Sequence, residues 1–227
     1  MQQEFLEHLL TFVSENKKEL FRKNIEQRTR HLTVVLEDIY QPQNASAVLR
    51  SADCFGVQDV HIIENTNKYT LNPDVVLGAS KWLDLHFYNT EENNTAQCLQ
   101  TLKDKGYKIV ATTPYTNDVT IDKLNLDDKT ALVFGTELTG ISQQAMDMAD
   151  EYVKIPMYGF TESFNISVSA AICMYETTKR LRNEYLKEVW QLTEAEKQKT
   201  LLNWCKKVVK RSDVIEKDFY ARQQNNT

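Results

Sequence analysis

Six short apolar runs, each divided from the next by a segment of helical pattern, limit the fold of this chain more than any other feature. The runs are 32–36 (LTVVL), 60–63, 83–88, 107–112, 130–134 (TALVF) and 152–155. Each has the length of a strand and is rich in β-branched, aliphatic or aromatic residues. Helices are predicted at 44–55, with Asn44 as cap and Gly56 as stop, then at 73–81, 96–105, 142–149 and from 166 onward. Strands that alternate with helices build an α/β fold around a mostly parallel sheet. Such a sheet holds its sites at the carboxyl ends of its strands, and three of those ends fall near Thr112, Gly135 and Ile155.

The stretch after the last strand is the most informative. Pro156 cuts the strand, a polar loop with Gly159 follows, and Ser163-Phe164-Asn165 lead into ISVSAAICMYE. Ser and Asn favour helix starts because their oxygens accept from unpaired backbone N–H groups. The helix is small or apolar on nearly every face, which predicts burial. A polar loop poised on a buried helix has the form of part of a site; an ordinary strand–turn–helix of an α/β core has the same form.

Helical patterns flank the core. Residues 2–30 read as helix in one or two pieces. Thr193-Glu194-Ala195-Glu196 has the form of a capping box opening a helix over 194–211. The net charge of −5 is unevenly spread. Residues 1–30 hold six Lys/Arg against five Asp/Glu, and residues 179–227 hold twelve against seven, which leaves nine against twenty in residues 31–178. An acidic middle with a basic tail is compatible with an anionic partner and also with a solvated helix face. Cys54, Cys98, Cys173 and Cys205 lack disulfide or zinc spacing, and no metal-ligand cluster is expected. With no membrane-length apolar run and no signal-peptide form at the N-terminus, a cytoplasmic location is expected.

Three stretches in series resemble the motifs of the SpoU branch of the SPOUT RNA methyltransferases. They are Asn44-Ala-Ser-Ala-Val-Leu-Arg50 with Phe55-Gly56-Val57, then Leu132-Val-Phe-Gly135-Thr-Glu137-Leu-Thr-Gly140, then Ile155-Pro156-Met157 through Ser163-Phe164-Asn165. Within that branch the chain is most similar to the TrmH group, whose members methylate the ribose 2′-OH of guanosine 18 in tRNA. The resemblance implies a SPOUT-type domain over 31–178 with a C-terminal deep trefoil knot, flanked by helical extensions at 1–30 and 179–227. It implies S-adenosyl-L-methionine as cofactor, tRNA as substrate and a homodimer with the site beside the subunit interface. A ribosomal RNA target and a non-catalytic knotted RNA-binding protein are the alternative readings.

Carried over residue by residue, the resemblance makes Arg50, Asn44, Glu137, Ser163 and Asn165 the catalytic set. An arginine is protonated at any ordinary pH, so Arg50 is expected to hold phosphate and stabilise the developing alkoxide rather than act as base. Thr112, Gly135, Ile155, Met157 and Phe164 are expected to hold the cofactor, largely through backbone. Charge, independently of the motifs, nominates Arg22, Lys23, Arg28, Arg30, Lys206, Lys207, Lys210 and Arg211 as RNA contacts. On a helix, Lys206 with Lys210 and Lys207 with Arg211 would form adjacent rows. His8, His31, His61 and His86 match no catalytic motif and are expected to be ordinary core or surface residues.

Overall fold

The computed structural model describes residues 2–70, 72–76, 78–114, 119–136 and 139–224. The chain divides into two compact units, Thr29–Trp190 and a second made of Met1–Arg28 with Gln191–Thr227.

The larger unit is a seven-stranded sheet with every neighbouring pair parallel. Its strands are β1 (Leu32–Glu37), β2 (Asp59–Ile63), β3 (Asp84–Tyr88), β4 (Lys108–Thr112), β5 (Val119–Thr120), β6 (Thr130–Phe134) and β7 (Glu151–Lys154), in spatial order β3-β2-β1-β6-β4-β7-β5. Alternation of side chains gives the sheet two apolar faces. Val34, Leu36, Val60, Leu132 and Phe134 pack with Val48, Leu49, Ala52, Ala170 and Met174. Those helical residues come from α3 (Pro42–Phe55) and α7 (Ile166–Glu184). Val35, Ile63, Ile109, Ala131 and Val133 pack instead with Cys98, Leu99 and Leu102 of α5 (Asn94–Asp104). A sheet covered on both faces explains why its strands read as unbroken apolar runs.

Smaller connections complete this unit: α4 (Pro73–Val76), α6 (Gln143–Met148) and α8 (Lys187–Trp190). Two expectations are corrected, and one strand is added. Asn44 does not cap α3, because Pro42 opens the helix and Gln41 is the cap, which puts Asn44 inside the first turn. β5 is a two-residue strand, too short to carry a periodicity, and it pairs with β7. The helix after Asn165 is not buried all round. Ile166, Ala170, Cys173 and Met174 face the core, whereas Val168 and Tyr175 are 44% and 53% exposed.

The smaller unit is helical, with α1 (Gln2–Leu10), α2 (Glu15–Ile25), α9 (Glu194–Val208) and α10 (Ser212–Gln224). Aromatic contacts hold it together: Phe5 lies 5.3 Å from Phe219 and 5.5 Å from Tyr220, and Phe21 lies 5.5 Å from Trp204. Thr193 and Glu196 form the capping box at the start of α9. That helix stops at Val208, earlier than its charge pattern implies, and Arg211 takes a left-handed φ of 58° before α10 begins. Lys210 and Arg211 therefore stand in a turn and do not form rows with Lys206 and Lys207.

Candidate active site

Three neighbouring strands, β6, β4 and β7, end side by side. A cavity of about 390 Å³ opens over those ends, within the range of about 300–1,000 Å³ usual for small-molecule sites. Thr112 from β4, Gly135 after β6, and Ile155 and Met157 after β7 all line it, as do Ser163, Phe164, Asn165, Ser169 and Cys173 from the start of α7. Phe134, Ile141 and Val153 add apolar residues to the wall.

The polar groups are held in place. Thr112 Oγ1 donates to the Val133 carbonyl at 2.7 Å, so its hydroxyl is engaged within the sheet. Asn165 caps α7: its Oδ1 accepts from Ser167 N at 2.9 Å and from Ser167 Oγ at 2.6 Å. Since a backbone N–H can only donate, this fixes the amide orientation and turns Nδ2 toward Asn44, whose Oδ1 accepts at 3.1 Å. Asn44 is buried, and this bond ties the first turn of α3 to the first turn of α7. The two helices run in the same direction, because Phe55 at the far end of α3 lies 6.1 Å from Tyr175.

Gly135 leaves β6 where no side chain fits, since a Cβ there would overlap the Gly140 carbonyl. Thr136 and Gly140 exchange backbone hydrogen bonds of 2.9 and 3.1 Å and close a tight loop. Gly140 supplies the positive φ of 71° that the loop needs. Glu137 lies within that loop but outside the described residues. Cys173 is no candidate nucleophile, as burial pushes its thiol up to about 12 and keeps it protonated at neutral pH.

Of the residues nominated from sequence, Thr112, Gly135, Ile155, Met157, Ser163, Phe164 and Asn165 meet at this one cavity, and Asn44 reaches it through Asn165. Arg50 does not line it. It is exposed on α3, six residues and so about 9 Å along the helix axis from Asn44. Thr113, Pro114, Thr139 and Ile141 also line the cavity without having been nominated; the signal for Thr113 and Pro114 is their place directly after β4, and for Thr139 and Ile141 their place in the loop between β6 and α6.

The basic residues divide. Arg22, Lys23, Lys207, Lys210 and Arg211 are exposed. Arg28 is instead 5% exposed with its guanidinium 5.2 Å from the Trp204 ring, so it is part of a core. Arg30 is bound to Asp84 at 2.5 Å and to Asp59 at 3.3 Å. Lys206 pairs with Glu216 at 2.7 Å and lies over the Phe5 ring. Those three also take part in the protein's own packing. Among the described residues no group of three or more His, Cys, Asp or Glu is placed to hold a metal ion, and no helix is long and apolar enough to cross a membrane.

The chain is similar to known RNA methyltransferases. The chain is 46% identical over 208 residues to a tRNA (guanosine(18)-2′-O)-methyltransferase of Borreliella burgdorferi, covering 92% of this chain and 93% of that one. It is 34% identical to the protein of the same name from Escherichia coli, covering 77% and 75%. The crystal structure of the A. aeolicus TrmH/SpoU tRNA modifying enzyme superposes with a TM-score of 0.76 at 29% identity, covering 86% of this chain and 98% of that one. The sequence model of the SpoU rRNA Methylase family matches residues 31–175. That span takes in all seven strands and every residue lining the cavity, and the chain belongs to the SpoU family.

Proposed function

We propose that this chain transfers a methyl group from S-adenosyl-L-methionine to the ribose 2′-oxygen of guanosine 18 in tRNA, as a cytoplasmic homodimer with its C-terminal core knotted. The observation that carries this reading is the extent of the likeness to the guanosine-18 enzymes. It runs beyond the methylase domain into the terminal helices, where a methyltransferase for a different RNA would be expected to diverge.

The cavity fits the cofactor. Its apolar walls suit an aromatic ring, and the backbone of three strand ends offers donors and acceptors for the polar edges of a nucleoside. When bound, S-adenosyl-L-methionine supplies an electrophilic sulfonium methyl group. The chain's own residues must bring the ribose into line with it and help the 2′-hydroxyl lose its proton. Asn165 and Ser163, at the lip of the cavity, are assigned to orient the ribose, with Asn44 fixing Asn165. Arg50 is assigned to bind phosphate and stabilise the developing alkoxide by charge-assisted hydrogen bonds. Glu137 completes the assigned set.

Because Arg50 is exposed and set back from the cavity of its own chain, a second copy belongs in this reading. Val168 and Tyr175 leave an apolar stripe open on α7, and Phe164 at its start is 43% exposed. Exposed apolar surface of this kind, on the helix beside α3, suits a homodimer interface. In the proposed division of labour, residues 31–178 carry the chemistry and residues 1–30 and 179–227 hold the RNA.

Tritiated-methyl transfer to bulk tRNA, followed by alkaline hydrolysis, tests the reaction class. Label recovered in alkali-resistant dinucleotides is the expected result. Label on a base, or label accepted by ribosomal RNA and not by tRNA, would overturn it.

A further inference from the structure

The carboxyl end of β1 carries an acid inside the core. Glu37 closes a strand that is otherwise Leu, Val and Thr, and it is only 2% exposed. Its Oε1 accepts from Thr95 Oγ1 of α5 at 2.6 Å and from Ser142 Oγ at 2.7 Å, and its Oε2 accepts from Ser142 N at 2.9 Å. Burying a carboxylate is unfavourable unless directed donors replace its water, so a side chain chosen only to fill this space would be apolar. Two of the three bonds converge on one residue, 105 positions away in the chain.

Ser142 stands at the far end of the loop that begins at Gly135. The loop is fixed at its start by the register of β6 against β1, which ends with Leu36 opposite Phe134. Within it, Thr139 N donates to Thr136 Oγ1 at 3.0 Å. Gly140 and Ile141 then line the cavity, and Ser142 caps α6 by accepting from Ala145 N at 3.1 Å. Glu37 is thus the group that holds the loop where it leaves the cavity wall.

We propose that Glu37 is a positioning residue for cofactor binding: it lines no part of the cavity, and through Ser142 it locks the wall formed by the loop after β6. The inference rests on the reading of the cavity as the S-adenosyl-L-methionine site. A Glu37→Gln side chain keeps the shape but removes the charge: with its NH2 group toward the two hydroxyls they must turn round to accept, with it toward the Ser142 N–H that bond is lost, and in either orientation the charge-assisted hold on Ser142 is weakened.

Calorimetry with S-adenosylhomocysteine on the full-length protein tests it, alongside the melting temperature of each variant. Glu37→Gln is expected to bind about tenfold or more weakly, as small displacements of a binding wall do. Thr95→Val removes the one donor that lies away from the loop; it is expected to lower the melting temperature and to leave affinity unchanged. Ser142→Ala should weaken binding and Ser142→Thr, which keeps the hydroxyl, should restore it, a pair that carries the test if Glu37→Gln does not fold. Wild-type affinity in both Glu37→Gln and Ser142→Ala overturns the inference, as does an equal loss in Thr95→Val, which would make Glu37 a general stabiliser. A wild-type protein that binds no S-adenosylhomocysteine overturns the cofactor reading and this inference with it.

Discussion

At the residue scale, Asn165 caps a helix, faces the cavity and grips Asn44. The motif resemblance named both asparagines, but no local pattern encodes a bond between residues 121 positions apart. Arg50 is a different case: it was named from its motif, and its exposure on α3 predicts a clean separation of functions. Arg50→Ala is expected to lose at least about tenfold in turnover, roughly 1.4 kcal/mol of transition-state stabilisation, while calorimetry with S-adenosylhomocysteine stays at the wild-type value. His61, one of the histidines outside the motifs, is buried. It stacks on His86 at 4.5 Å and meets Tyr88 Oη at 3.2 Å. Burial, reinforced by the neighbouring His86, lowers it from 6.5 to about 3. Between those values the unfolded chain binds a proton that the folded chain refuses. The stability His61 contributes is thus complete above about pH 6.5 and falls with acid by up to about 1.4 kcal/mol per pH unit. The urea midpoint should drop from pH 7 to pH 5, and the drop should be smaller in His61→Phe, which keeps the stacking without the titration. Equal drops would show that His61 does not carry the dependence.

At the element scale, the loop after β6 decides the shape of the cavity. Gly135→Ala would drive a methyl group into the Gly140 carbonyl, and backbone cannot swing aside as a side-chain tip can. Overpacking of this kind costs about 1–3 kcal/mol. Part of that cost should be met by opening the loop, so both the melting temperature and the S-adenosylhomocysteine affinity are expected to fall; an unchanged affinity would detach the loop from the cofactor. The elements themselves were largely legible, because strands buried on both faces leave uninterrupted apolar runs and Gly56 marks the end of α3 in the left-handed region at φ 77°. What was not legible depended on partners. β5 is defined by its pairing with β7, and the open side of α7 looks apolar in sequence whether or not anything covers it.

At the scale of the whole molecule, the acidic core and basic tail were visible in the sequence. The partners of those cations were not: Arg28 lies against Trp204, Arg30 pairs with Asp59 and Asp84, and Lys206 pairs with Glu216. Arg180 likewise donates to the backbone carbonyl of Leu124 at 2.8 Å. Of the nominated cations, Arg22, Lys23, Lys207, Lys210 and Arg211 are exposed. Reversing Lys207, Lys210 and Arg211 to Glu is expected to weaken tRNA binding and flatten its dependence on log salt, by about 0.9 for each phosphate contact removed. Unchanged affinity and slope across a filter-binding salt series would assign the tail a structural role only. The central claim, that the acceptor is one particular 2′-hydroxyl, has a sharper test. Methyl transfer from S-adenosyl-L-methionine is compared between a tRNA transcript and the same tRNA assembled with 2′-deoxyguanosine at position 18. Incorporation into the first and none into the second is expected; equal incorporation into both would show that the methyl group goes to another position.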